Sequence, residues 1–389
     1  MTESLSKNTH QPIAIVGGGI IGLAVGWQLV RRGQRVVLFE KKRSGRAASW
    51  VAAGMLAPHS EVGFEEEDFL RLGMESLREY PRFLQELEQD TGRHVPLDKR
   101  GTLIVGLDRD DSARLRRLYE YRRHLGLPVE WLVGSAVRDI EPLLSPRVTS
   151  AIWLPDDGQV NNRDLVEALR EGFARLGGEL REDCAVTAIH CDNGCAHAVE
   201  AAGETHAVRT VILAAGCWSN QIDGIPEGIR PPVRPVKGQL VSLRMNDDMN
   251  LTHVIRAPDV YLIPKDDGRL VLGASQEEMG FDTTATAGPV LRLLQRGWEA
   301  VPSIYELAID DIEVGLRPGS HDHQPIIGAT EIEGLYYATG HHRHGILLAP
   351  FTAYAMCDLI IDGNERESLA RIRPTRFGAR QHPGKVTAE

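Results

Sequence analysis

Residues 13–40 leave few folds open. Ile13–Val16 is wholly apolar and runs into Gly17-Gly18-Gly19-Ile20-Ile21-Gly22, after which apolar residues continue as far as Val30. The pattern predicts a strand over 13–16, a helix over 20–32 and a second strand over 35–40. In a strand–turn–helix unit each glycine has its own task. Gly17 permits the tight turn, Gly19 lets a pyrophosphate approach the backbone, and Gly22 lets helix and strand pack closely. The helix N-terminus offers N–H groups and partial positive charge to phosphates. Glu40 stands 18 residues past Gly22, where a carboxylate at the end of the second strand can accept both hydroxyls of an adenosine ribose. The unit reads as a site for a dinucleotide, with FAD and NAD equally admissible.

Composition narrows the class. At 389 residues the chain can bury a core large enough for two domains. A net charge of −10 leaves no basic excess to neutralise phosphates, which argues against a nucleic-acid partner. Cys184, Cys191, Cys195, Cys217 and Cys357 are too few for a disulfide scaffold in a chain of this length. The apolar run 13–30 is broken by five glycines, and its positive pair Arg31-Arg32 follows it instead of preceding it. It is read as a buried strand, turn and helix and not as a leader or membrane span, and a soluble, cytoplasmic protein is expected. Residues 1–10 and 371–389 are expected to be flexible tails.

Amphipathic helices are predicted over 66–90 and 110–125, the first opened by the acidic run Glu65-Glu66-Glu67-Asp68. Asp192-Asn193-Gly194 tolerates positive φ and predicts a hairpin of 186–191 with 195–200, followed by a strand over 210–214. Alternating segments between 230 and 275 predict a mostly antiparallel sheet. A final helix is expected over 345–362, with Pro350 in its first turn and Gly363 as its stop. His190, Cys191, Cys195 and His197 are metal-ligand types, but a hairpin would place them on both faces, so no metal is expected there or at His341, His342 and His344.

The segment Ser44-Gly45-Arg46-Ala47-Ala48-Ser49-Trp50-Val51-Ala52-Ala53-Gly54-Met55-Leu56-Ala57-Pro58 resembles the second cofactor segment of the D-amino-acid oxidase superfamily, and the glycine oxidases in particular. The resemblance recurs in Tyr261-Leu262-Ile263-Pro264, in Gly315-Leu316-Arg317-Pro318-Gly319 and in Gly340-His341-His342-Arg343-His344-Gly345. It implies an α/β fold: a Rossmann-like FAD-binding domain of the glutathione-reductase type (11–90, 148–222 and 315–370) and a substrate domain on a mostly antiparallel sheet (91–147 and 223–314). FAD would be held extended and non-covalently, since 321–328 lacks the cysteine through which related sarcosine oxidases attach it. The resemblance assigns to FAD the glycine turn with Ile20 and Ile21, then Glu40 and Lys41, and Arg46, Ala47, Ala48, Ser49, Ala53, Gly54 and Met55. It adds Val186, Ala215, Gly216, Trp218, His342, Arg343, His344, Gly345 and Ile346.

For substrate it implies Arg317 as the partner of an amino-acid carboxylate, a task that suits a guanidinium fork. Tyr261 would stand beside the same carboxylate and Arg343 near substrate and flavin. The implied reaction is oxidative deamination of glycine, sarcosine or small D-amino acids with O2. It would give a 2-oxo acid (glyoxylate from glycine), ammonia or amine, and hydrogen peroxide. The helix after Gly345 would turn its N-terminus to the flavin ring. A homotetramer and a role in making the thiazole of thiamine are implied in the same way. His342 and His344 depart from the aromatic and asparagine that relatives often carry, and Asp259 and Gln276 depart as well, which bears on substrate preference. A D-amino-acid dehydrogenase or secondary-amine oxidase serving another electron acceptor is the alternative.

Overall fold

The computed structural model describes residues 11–64, 66–249 and 251–377. Its first layer is a six-stranded sheet in the order Ile326–Ala329, Leu335–Thr339, Thr210–Leu213, Ile13–Val16, Val36–Phe39 and Glu179–Arg181. All its neighbours pair in parallel except the first two. Ile13–Val16 and Val36–Phe39 are wholly apolar, and Thr210–Leu213 is so after its first residue, as a sheet covered on both faces demands. On one face lie the helices Ile20–Arg31, Glu67–Thr91, Asn162–Arg175 and Ala349–Asp362. Their junction is filled by Trp27, which meets Phe83 edge-on at 5.1 Å. The other face is covered by the antiparallel Val186–Asp192, Cys195–Ala201 and Glu204–Ala207, including the expected hairpin.

The second layer is an eight-stranded sheet in the order Ala308–Gly319, Arg234–Arg244, Arg269–Gly273, Val260–Pro264, Val254–Ala257, Thr102–Gly106, Ser150–Leu154 and Glu130–Val133. Only Val254–Ala257 with Thr102–Gly106 is parallel. Alternation along its strands gives it two apolar faces. Val241, Leu243, Leu262 and Leu272 pack under the helix Ala287–Ala300 with Leu293. Leu240, Val254, Ile263 and Val271 pack instead on Ala53 and Met55, where Met55–Leu56 belongs to a small sheet with Gly158–Val160 and Leu97–Asp98. The contact between layers is therefore an apolar face of this sheet set against the small-residue segment after Val36–Phe39.

Ser150–Leu154 and residues 315–319 run in the eight-stranded sheet and lie within the ranges 148–222 and 315–370 expected for the FAD unit. Strand membership depends on distant partners that the local pattern does not name. The last helix starts at Ala349 and not at 345, because Pro350 lacks an N–H and must sit in the first turn; His342–His344 forms a 3-10 turn before it. Within the expected C-terminal tail, Ile372 is buried and Arg376 pairs with Asp322 at 2.8 Å. The remaining tail residues, 1–10 and 378–389, and Glu65 of the acidic run lie outside the described residues.

The turn at 17–22 has no spare volume. A Cβ on Gly22 would lie 2.0 Å from the Gly17 carbonyl oxygen, and one on Gly17, whose φ is +108°, would lie 2.5 Å from that of Ala214. Gly22→Ala is expected to lower the urea-unfolding free energy by about 1–3 kcal/mol through overpacking and to weaken FAD retention. Gly228→Ala, with nothing within 4 Å of the added atom, is the neutral control.

Candidate active site

A cavity of about 1430 Å³ runs between the two sheets. Gly17, Gly19, Glu40, Lys41 and Trp218 border one part of it; Tyr261, Arg317, His342 and Arg343 border another. All the residues expected to contact FAD or substrate line this cavity except Gly22 and Arg46. Gly22 instead closes the turn. Arg46 points elsewhere: its guanidinium donates to Glu167 at 2.6 Å and stacks on Trp50 at 3.4 Å.

The nucleotide end is made of backbone and short side chains. The Glu40 carboxylate accepts the N–H groups of Gly18 at 2.8 Å and Lys42 at 3.0 Å, which fixes it at the strand end. Ser49 Oγ accepts the Ile20 N–H at 2.9 Å, joining the small-residue segment to the start of the first helix. Lys41 Nζ lies 3.2 Å from the centre of the Trp218 ring, so cation and indole form one wall. Gly54 (φ +77°) runs so close to strand Gly158–Val160 that a Cβ would meet the Val160 oxygen at 2.2 Å.

At the other end two glycines shape the sheet. A Cβ on Gly238 would lie 2.4 Å from both terminal nitrogens of Arg317, and one on Gly273 would lie 2.3 Å from the Tyr261 hydroxyl. Arg317 and Tyr261 therefore lie flat across bare backbone, approaching each other from strands on either side of Gly238 and Gly273. Arg317 Nη1 donates to the Ser275 carbonyl at 3.0 Å. Among the described residues no carboxylate pairs with Arg317, which leaves a half-buried guanidinium able to receive an anion. Burial pushes the Tyr261 hydroxyl up to about 12, with Arg317 opposing, so the phenol stays protonated and can donate.

Arg343 is turned toward a residue the sequence did not single out. Its Nε donates to Glu61 at 3.1 Å, and Glu61 also faces His344 Nδ1 at 3.2 Å and Arg256 Nη1 at 2.9 Å. Burial works against the Glu61 charge, but the His344 hydrogen bond and the charges of Arg256 and Arg343 outweigh it, holding the carboxyl well below the usual range. His342 is buried at φ +48°, and both its ring nitrogens lack a protein partner. Burial, with Arg343, His344 and Arg317 nearby, brings it down to about 3, so the ring is neutral. Glu61 and Arg256 escaped the sequence reading because nothing local marks them. Gly238 and Gly273 did leave a signal, since glycine inside a strand pattern marks a close approach.

These residues fit FAD. The glycine turn and Gly54 leave the backbone bare, Glu40 is fixed for a ribose, and His342 offers unpartnered ring nitrogens beside Arg317. Among the described residues no group of three or more His, Cys, Asp and Glu is placed to hold a metal ion, and no helix is long and apolar enough to cross a membrane.

Fold and site define an FAD dependent oxidoreductase: residues 12–359 match that family, abbreviated DAO, and the chain belongs to it. It is 35% identical to the glycine oxidase of Geobacillus kaustophilus over 98% of this chain and 100% of that protein. A crystal structure of glycine oxidase from the same organism superposes with a TM-score of 0.87 at 34% identity, covering 94% of this chain and 98% of that one. The chain is also 34% identical to the bifunctional protein ThiO/ThiG of Synechocystis over 96% of its own length, which spans 55% of that protein. FAD is the cofactor, and the chain is an FAD-dependent amino-acid oxidase by family.

The buried histidines carry a pH signature. Burial brings His341 down to about 3, like His342, so between pH 6.5 and 3 the unfolded chain binds protons that the folded one does not. Stability must then fall as pH drops below 6.5, by up to about 1.4 kcal/mol per pH unit for each histidine. Urea midpoints at pH 7.5 and 5.5 should show this loss, and His342→Gln should reduce it.

Proposed function

We propose that the chain oxidises glycine and small primary or secondary amines such as sarcosine and small D-amino acids, with O2 as the final electron acceptor. The observation that carries this reading is the Arg317–Tyr261 pair laid across Gly238 and Gly273, opening into the same cavity as the dinucleotide cradle. Arg317 offers its unpaired fork to the substrate carboxylate and Tyr261 donates its phenolic proton to the same group. Held at that end, the α-carbon has little freedom, and orientation does most of the protein's work. When bound, FAD supplies the two-electron acceptor for oxidation of the Cα–N bond. His342, neutral and without a protein partner, can hydrogen-bond without adding a second cation beside Arg317.

Among the described residues lining the cavity, none is marked as a dedicated acceptor for the substrate's proton. Glu61 is gripped by Arg256, Arg343 and His344, and a carboxylate held that low is a poor base. Substrate therefore reacts from its neutral-amine form, and kcat/KM for glycine should rise with pH until the amine is deprotonated. Water then hydrolyses the imine to glyoxylate and ammonia. Similarity to ThiO/ThiG supports delivery of this imine to thiazole formation for thiamine. A cytoplasmic homo-oligomer, tetrameric by the same resemblance, belongs to this reading; Leu291 and Trp298, seven residues apart on one helix, are exposed apolar side chains that such contacts would cover.

Two measurements test the reading. Anaerobic glycine, sarcosine and D-alanine should each bleach the visible absorbance of purified holoenzyme, and oxygen should restore it with hydrogen peroxide. Absence of bleaching with the whole panel rejects amine oxidation, while recovery only with an artificial acceptor rejects the oxidase form. Gly238→Ala should push Arg317 aside and weaken acetate binding, read from the flavin spectrum, by about 10–100-fold, the value of one charge-assisted hydrogen bond. FAD content should stay unchanged.

A further inference from the structure

The cavity holds a group of charges that the carboxylate clamp does not use. Glu61 Oε1 accepts from Arg256 Nη1 at 2.9 Å, while Oε2 accepts from Arg343 Nε at 3.1 Å and faces His344 Nδ1 at 3.2 Å. The Glu61 side chain is 9% exposed, yet the residue borders the cavity. Its place in the chain is fixed from both sides. Asp157 accepts the backbone N–H groups of His59 at 3.1 Å and Ser60 at 3.0 Å, and contacts the His59 ring at 2.9 Å. Arg122 donates to the carbonyls of His59, Ser60 and Val62 at 2.8, 2.9 and 3.2 Å. A buried aspartate and a buried arginine are thus committed to holding four residues of backbone, and the side chain they present is one carboxylate.

That carboxylate is close to where substrate would bind. Arg256 stands directly opposite Tyr261 in the antiparallel pair of Val254–Ala257 with Val260–Pro264, so both side chains leave the same face of the sheet. The Tyr261 hydroxyl is within electrostatic reach of Arg317, Glu61 and Arg256 together. The charges near the phenol are therefore Arg317 and, as a second group, Arg256 and Arg343 bridged by Glu61. Glu66, which is more exposed, lies 4.0 Å from Arg343.

We propose that Glu61 is a built-in anion that fills the site made by Arg256 and Arg343, and so sets specificity by excluding amines that carry a second acidic group. The inference rests on Arg317 and Tyr261 being the substrate's carboxylate clamp. A dicarboxylate held there would bring its second carboxylate toward Glu61, and like charges so placed repel. Without Glu61 the same two guanidinium groups become an anion site. Glu61 acts through charge at a distance from the reacting bond, so it is a specificity-determining residue and not a catalytic one.

The test uses purified holoenzyme titrated with acetate, malonate and succinate, with binding read from the flavin absorbance and no turnover required. Glu61→Gln should raise malonate and succinate affinity relative to acetate by about tenfold or more, the scale of one removed like-charge contact. Arg343→Met should move the ratio the opposite way, because Glu61 then keeps more uncompensated charge. This second variant changes a side chain 36% exposed, so it carries the test if Glu61→Gln does not fold. Acetate binding with the wild-type ratio in both variants overturns the inference and leaves the clamp intact. No carboxylate binding to the wild type overturns the clamp and the inference with it.

Discussion

The first helix can start where it does only because two glycines let backbone touch backbone. The Gly17 carbonyl occupies the place of a Gly22 side chain, and the Ala214 carbonyl occupies the place of one on Gly17. This close approach locks the helix start against strands Ile13–Val16 and Thr210–Leu213. The rest of the site is measured from that point. Ser49 reaches the Ile20 N–H, Glu40 reaches the Gly18 N–H, and the segment 44–58 is brought up against the eight-stranded sheet. A methyl group at either glycine would have to move backbone, not a flexible side chain.

The same device recurs at the opposite end of the cavity with a different result. Gly238 and Gly273 remove two side chains from the face of an otherwise apolar sheet, and the space is taken by Arg317 and Tyr261. The cations in this region are then managed by neutral or fixed partners. His341 and His342 are held uncharged by burial, and Arg256 and Arg343 share one deeply ionised carboxylate. Among the described residues Arg317 meets backbone carbonyls and the Tyr261 phenol but no carboxylate. In a poorly solvated cavity an arginine without a protein anion attracts one from solution.

Much of this was legible in the sequence where the signal is local. Strand, glycine turn, helix and acid lie within 13–40, and their spacing alone announces a dinucleotide. The hairpin around Asn193 and the long helix that begins at Glu67 were readable for the same reason. The motifs around Tyr261, Arg317 and Arg343 pointed to an amino-acid oxidase, and all three residues line the same cavity. What the local pattern left open depends on packing partners. Arg46 was assigned to the cofactor from its place in a motif, but Glu167 and Trp50, more than a hundred and just four residues away, decide where its guanidinium lies. Strand Ser150–Leu154 was not readable at all, because its partners, Thr102–Gly106 and Glu130–Val133, lie far away in the chain.

By itself, then, the sequence determined the chemistry of the backbone turns: where glycine must stand, where a helix can begin, and which cofactor class such a turn receives. Tertiary structure alone decided which charges meet. Glu61, Arg256 and Arg343 come from three separated segments, and no periodicity relates them. Their association rests on Asp157 and Arg122 fixing the backbone at 59–62, and on a sheet register that sets Arg256 opposite Tyr261. Electrostatic energy depends on separation in space and on burial, and neither quantity is written in the order of residues along a chain.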